Sequence, residues 1–220
     1  MVLIMGVDEA GRGAVIGPLT ICGAVFEASD IDALKSSGVR DSKLLSAQSR
    51  ERMRTKILKL VHSHKVIVID NKEIDSRSTV GLNLNELEAL KIANLIEDLK
   101  PDKVYVDSPH TIANKFIDTI GKFLKSEIAR KVEIIAEHKA DTKYPVVSAA
   151  SILAKCMRED EVQKIKDEIR LDFGSGYPSD PITMAALNKY LGELLSYVRK
   201  TWATYKTVKR SRGQKTLEGW

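Results

Sequence analysis

A chain of 220 residues with 43% hydrophobic residues is long enough for one large domain, or a core with a small appendage, and apolar enough to fill it. Charged residues make up 30%, net charge is +5 and the pI about 9.1, a balance that permits a nucleic-acid partner without requiring one. No apolar run reaches the length of about 18 residues that a membrane span needs, no basic leader precedes a cleavage site, and Cys22 and Cys156 have no metal or redox spacing. The expected setting is the reducing cytoplasm, away from membranes, with both cysteines acting as small apolar residues.

The first element is a strand over Met1–Asp8, whose apolar run suits burial on both faces. Gly17-Pro18 marks a turn before a second strand, Leu19–Phe26. A short helix over Ser29–Ser37 and a longer one over Ala47–His64, capped by Ser46, follow. Lys65–Asp70 reads as a strand and Asn85–Lys100 as a helix stopped by Pro101. Then come a strand over Lys103–Asp107, a helix over Thr111–Ser126, a strand over Lys131–Glu137, and a long helix over Val146–Phe173 that Gly174-Ser175-Gly176 ends. Two more helices are expected over Ile182–Leu195 and Val198–Lys209. Strands alternating with helices predict an α/β sheet of five strands, mixed because the first two are adjacent. From Lys206 to Lys215 basic residues recur, and this stretch reads as a mobile arm without an apolar stripe.

The chemistry sits at strand ends. Asp8-Glu9 closes the first strand and Gly11-Arg12-Gly13 follows; Asp107 closes another strand, and Asp141 lies just past a third. In a sheet with helical crossovers, ligands collect at strand ends. Clustered carboxylates repel unless a cation joins them, and Mg2+ accepts carboxylate oxygens, water and substrate phosphate together. Two such ions, about 3.5–4 Å apart, activate water and stabilise the leaving oxygen of a phosphodiester. Alternation of side chains along a strand is an objection: Asp8 and Glu9 share a site only if the strand bends or ends there. Each acid taken singly also reads as a solvated strand end.

These residues carry a family resemblance. Asp8-Glu9-Ala10-Gly11-Arg12-Gly13, Arg40-Asp41-Ser42-Lys43, Val106-Asp107-Ser108-Pro109, Glu137-His138-Lys139-Ala140-Asp141, Ser148-Ala149-Ala150-Ser151-Ile152-Leu153-Ala154-Lys155 and Gly174-Ser175-Gly176-Tyr177-Pro178-Ser179-Asp180 occur in the order found in ribonuclease HII. The chain resembles that family, archaeal members above all, from residue 1 to about 205. The resemblance implies an RNase H-like fold: a catalytic core over residues 1–172, a helical substrate-binding part over 173–205 and a basic tail over 206–220. It implies a monomeric endoribonuclease using Mg2+ or Mn2+ in a two-ion site, acting on RNA–DNA hybrids and on duplex DNA with an embedded ribonucleotide. Cleavage on the 5′ side of the ribonucleotide would leave a 3′-hydroxyl and a 5′-phosphate, as removal of misincorporated ribonucleotides and RNA primers requires. By motif, Asp8, Glu9, Asp107 and Asp141 are implied to hold metal, Gly11-Arg12-Gly13 to sense the 2′-hydroxyl, and Tyr177 to meet the RNA–DNA junction.

Elementary chemistry fits those roles and leaves alternatives. A 2′-hydroxyl distinguishes RNA from DNA, and glycine backbone reaches it without side-chain bulk. Tyr177 reads equally as a stacking ring or as half-buried packing. Arg12 reads as a substrate contact or as the ion-pair partner of the acids. Lys43, Lys143 and Ser148 are candidate phosphate contacts, with solvated lysines the bland alternative. His62 and His64 lack a third ligand at zinc spacing. His138 either assists protons or only hydrogen-bonds. Ala149, Ala150 and Ala154 read as close packing against the sheet. The competing classes are a nucleic-acid-binding module without catalysis, for which clustered carboxylates gain nothing, and a DNA nuclease of the same fold, which leaves the glycine and Tyr177 loops unexplained.

Overall fold

The computed structural model describes residues 1–39 and 45–215, with side chains to residue 212. Its elements in chain order are β1 (Leu3–Ala10), β2 (Leu19–Glu27), α1 (Ile31–Ser36), α2 (Ala47–Leu60), β3 (Ser63–Ile69), α3 (Asn71–Ser76), α4 (Leu84–Leu99), β4 (Lys103–Asp107), α5 (Ala113–Gly121), α6 (Glu127–Arg130), β5 (Glu133–Glu137), α7 (Ala140–Lys143), α8 (Pro145–Ile169), α9 (Pro181–Lys189), α10 (Leu191–Leu194) and α11 (Ala203–Lys215). The strands form one sheet in the order β3-β2-β1-β4-β5. β1 is antiparallel to β2 and parallel to β4, and β4 is parallel to β5, so the sheet is mixed as the sequence predicts.

Two compact units emerge. One comprises residues 1–10, 20–67 and 81–157; the other comprises 11–19, 68–80 and 158–220. This differs from the expected division at residue 172. The segments 11–19 and 68–80 join the C-terminal part through contacts more than a hundred residues apart in sequence, such as Asn71 to the Val198 carbonyl.

In the first unit, strand alternation sorts the sheet into two faces. Cys22, Ala24 and Phe26 of β2 share a core with Leu34, Met53, Ile57 and the α8 residues Val146, Ala149, Ala150, Leu153 and Ala154. α8 approaches β1 so closely that a Cβ on Gly6 would fall 2.1 Å from the Val146 carbonyl carbon. The three alanines therefore pack as expected, and both cysteines are buried and in no disulfide. The opposite face meets α4, where a Cβ on Gly23 would come within 3.1 Å of Leu99. α4 begins with a capping box between Asn83 and Glu86 and ends at Lys100 in the left-handed region.

The second unit has its own core of Val15, Ile16, Val162, Phe173, Leu187, Leu194, Val198, Tyr205 and Val208. Val208, inside the basic stretch, and Tyr205, just before it, belong to this core, and the stretch is helical to Lys215. The helix expected to reach His64 ends at Leu60, with Val61 extended, and both histidines then lie outside it. Among the described residues no helix is long and apolar enough to cross a membrane.

Candidate functional site

Register brings the acids together. Val7 of β1 pairs with Val106 of β4, so Asp8 and Asp107 follow side by side. Asp107 pairs with Glu137 of β5, and the chain turns into α7, which carries Asp141. Asp8, Asp107 and Asp141 each offer a carboxylate oxygen within 4.8 Å of the other two. Asp8 is 6% exposed and Asp141 3%. Local bonds fix the carboxylates: Asp8 accepts from the Glu9 amide at 2.7 Å, and Asp107 from the Ala140 amide at 3.1 Å.

Glu9 stands outside this trio. β1 continues through Ala10, with Glu9 opposite Ile21, so neither bend nor strand end breaks the alternation. Asp8 shares the α8 face with its pair partner Cys22, and Glu9 takes the other face.

Burial drives the Asp8 carboxyl from 3.8 up to about 7, and the charge of Asp107 adds to it; the Ser151 hydroxyl, the Glu9 amide and Lys155 pull the other way. A dry, crowded set of hard oxygen donors is the environment a divalent cation relieves. The donor chemistry therefore fits a metal of the Mg2+ or Mn2+ class, with Asp8, Asp107 and Asp141 as the ligands the geometry assembles.

Ser148 and Lys143 lie on this side of the chain with other partners. Ser148 is fully buried, and its hydroxyl donates to the carbonyls of Asp141 and Tyr144. That hydroxyl braces the corner carrying Asp141. Lys143 is exposed and pairs with Glu137, which also accepts from Tyr144 at 2.9 Å. His138 hydrogen-bonds the carbonyls of Ser108 and Thr111. Lys43, with the Arg40-Asp41-Ser42 stretch before it, lies outside the described residues.

In the second unit, Gly11-Arg12-Gly13 opens a loop pinned at both ends. Gly11 has φ +91° and Gly17 φ +87°, conformations that favour glycine. Arg199, fully buried, donates to the Arg12 carbonyl at 2.9 Å and to the Gly17 carbonyl at 3.1 and 3.0 Å. Val15 and Ile16 donate to the Gly176 carbonyl at 2.8 and 3.1 Å. Tyr177, next in sequence, is half-buried, and a Cβ on Gly13 would lie 3.9 Å from its Cε1. Arg158 lies 4.6 Å from the Tyr177 ring centroid. Asp180 holds the Tyr177 loop: its carboxylate accepts from Ser175 at 2.6 Å and from Ile182 at 2.9 Å, and the Ser175 bond leads the causes that lower it to about 2. Arg158 and Arg199 were invisible to sequence reasoning. Arg158 opens the charged run Arg158-Glu159-Asp160, and Arg199 stands beside Lys200, a setting that reads as solvated.

The sequence model described as Ribonuclease HII matches residues 5–205. The ribonuclease HII of Pyrococcus furiosus is 42% identical over 224 residues, covering 98% of this chain and 96% of the relative. The crystal structure of ribonuclease H2 from Pyrococcus horikoshii OT3 superposes with a TM-score of 0.85 at 42% identity, covering 95% of this chain and 98% of that one. The RNase HII of Archaeoglobus fulgidus, solved in complex with PCNA, gives a TM-score of 0.82 at 39% identity, covering 91% and 95%.

Proposed function

We propose a function on one premise: the chain belongs to the ribonuclease HII family. It is a ribonuclease H, an endonuclease acting on nucleic acid, and its mixed sheet is that of the RNase H-like fold. The family is divalent-metal dependent. The finer reading is that the enzyme cuts the RNA strand of RNA–DNA hybrids and incises on the 5′ side of a single ribonucleotide in duplex DNA, leaving a 3′-hydroxyl and a 5′-phosphate. The convergence of Asp8, Asp107 and Asp141 supports metal-dependent cleavage, and the finer substrate reading rests on the Gly11–Gly13 loop beside Tyr177.

In this reading those three carboxylates hold the metal, and Glu9 would join them as a fourth ligand if the end of β1 turned its side chain from the opposite face. Two Mg2+ or Mn2+ ions would supply an activated water and charge stabilisation at the leaving oxygen. The chain's own residues do the rest. Ser148 and the Ala140 amide keep Asp141 and Asp107 aligned. Gly11-Arg12-Gly13 offers peptide groups to a 2′-hydroxyl, and Tyr177 offers a ring face to the neighbouring sugar. The glycines at 11 and 13 and the half-buried ring support this assignment. Such chemistry suits removal of misincorporated ribonucleotides and of primers. The Archaeoglobus complex makes PCNA a candidate partner here too, which co-elution of the two proteins tests.

The experiment is cleavage of duplex DNA carrying one ribonucleotide, with and without Mg2+, with product ends identified. Asp8→Asn and Asp107→Asn should each lower the rate about a thousandfold while metal-free binding to the duplex persists. Ample Mg2+-dependent cleavage by either variant would remove the trio from the mechanism.

A further inference from the structure

We propose that Arg158 is a positioning residue that sets the orientation of the Tyr177 ring against the Gly11–Gly13 loop. The proposal rests on the reading of Tyr177 as a substrate contact. Its geometry lies wholly within the second unit.

Arg158 fills the space that two glycines leave open. A Cβ on Gly11 would fall 2.4 Å from Arg158 Nε, and one on Gly176 would fall 3.1 Å from Nη2. From that position Nη2 donates to the Ser175 carbonyl at 2.8 Å, two residues before Tyr177. The guanidinium carbon lies 4.6 Å from the ring centroid, within cation–π range. One group therefore touches the ring, the backbone that carries the ring, and the backbone of the sensing loop.

The arrangement is costly as pure scaffolding. Arg158 is 6% exposed, and among the described residues its Nε finds no acceptor. Burial pulls its pKa below the usual arginine range. A well-packed apolar side chain often replaces a buried charge without loss of stability. A planar cation does what such a side chain does not: it holds a ring by its face and a carbonyl by its edge at once.

A double-mutant cycle with a spectroscopic arm tests the inference. Incision at a single ribonucleotide is measured for Arg158→Met, Tyr177→Ala and the double variant, with Arg158→Lys as a charged control. Tyr177→Ala should lose roughly ten- to a hundredfold, the usual effect of a lost stacked ring. Arg158→Met should lose about tenfold alone, but less than about twofold when Tyr177 is already alanine, because it acts through the ring. Arg158→Lys should fall between Arg158→Met and the parent. Equal fold-losses for Arg158→Met in both backgrounds overturn the proposal. Aromatic proton shifts of Tyr177, identified by their loss in Tyr177→Ala, should move in Arg158→Met; unmoved shifts also overturn it. Full activity of Tyr177→Ala refutes the substrate role of Tyr177 separately, and the ring shifts then decide alone whether Arg158 orients it.

Discussion

The two units treat buried charge in opposite ways. In the first, strand register forces three carboxylates within 4.8 Å of one another, and burial with like charge pushes Asp8 up to about 7. In the second, a fully buried guanidinium meets ready acceptors, the carbonyls of Arg12 and Gly17. The first arrangement is held against its own repulsion by the surrounding sheet. The second helps to hold its surroundings. Removing a charge should therefore have opposite signs in the two places.

The largest effect is expected at Arg199. Arg199→Met removes the guanidinium donors to the Arg12 and Gly17 carbonyls and a cation that also lies 5.0 Å from the Trp202 ring. Losing charged hydrogen bonds to buried carbonyls costs about 1–3 kcal/mol for each carbonyl. Denaturant melts of the metal-free protein should show that loss. A cost below about 1 kcal/mol would mean that the 11–19 loop is held by its backbone bonds alone.

Asp8→Asn should do the reverse. An aspartate at 3.8 in the unfolded chain and about 7 in the folded one binds its proton more tightly when folded. Its favourable contribution is complete below pH 3.8 and is lost as pH rises through about 7. The metal-free variant should thus match the parent near pH 4 and exceed it by on the order of 2–4 kcal/mol near pH 8. Mg2+ at about a hundred times its dissociation constant should stabilise the parent by about 2.7 kcal/mol and leave the variant nearly unmoved. A variant less stable than the parent at pH 8 would make Asp8 a structural anchor.

This contrast also marks what the sequence exposes. Asp8 and Asp107 were legible because each follows an apolar strand, and register does the rest. Glu9 was ambiguous because alternation and adjacency argue against each other; pairing through Ala10 decides for alternation. α3 was missed although Asp70 caps it by accepting from Glu73 at 2.7 Å, since Asp70 also closes a plausible strand. Tyr205 and Val208 were overlooked among the basic residues around them. Arg199 was beyond reach: its acceptor Gly17 is 182 residues away, and no local pattern records such a partner.

The smallest effect separates a held lysine from a substrate contact. Lys143 was a candidate for phosphate, yet it pairs with Glu137, whose other oxygen takes the Tyr144 hydroxyl. That pairing, with the Tyr144 bond, holds Glu137 below the usual carboxylate range. The lysine side chain is 57% exposed, so the pair is screened and contributes little to stability. Lys143→Gln should therefore leave stability nearly unchanged. The informative readout is salt. Each phosphate contact adds close to one unit to the slope of log affinity against log salt concentration. With Glu137 as its partner, Lys143 contributes little to that slope, and the variant should track the parent across salt concentrations. A slope lower by about one unit would mean that the lysine leaves Glu137 for phosphate when substrate binds.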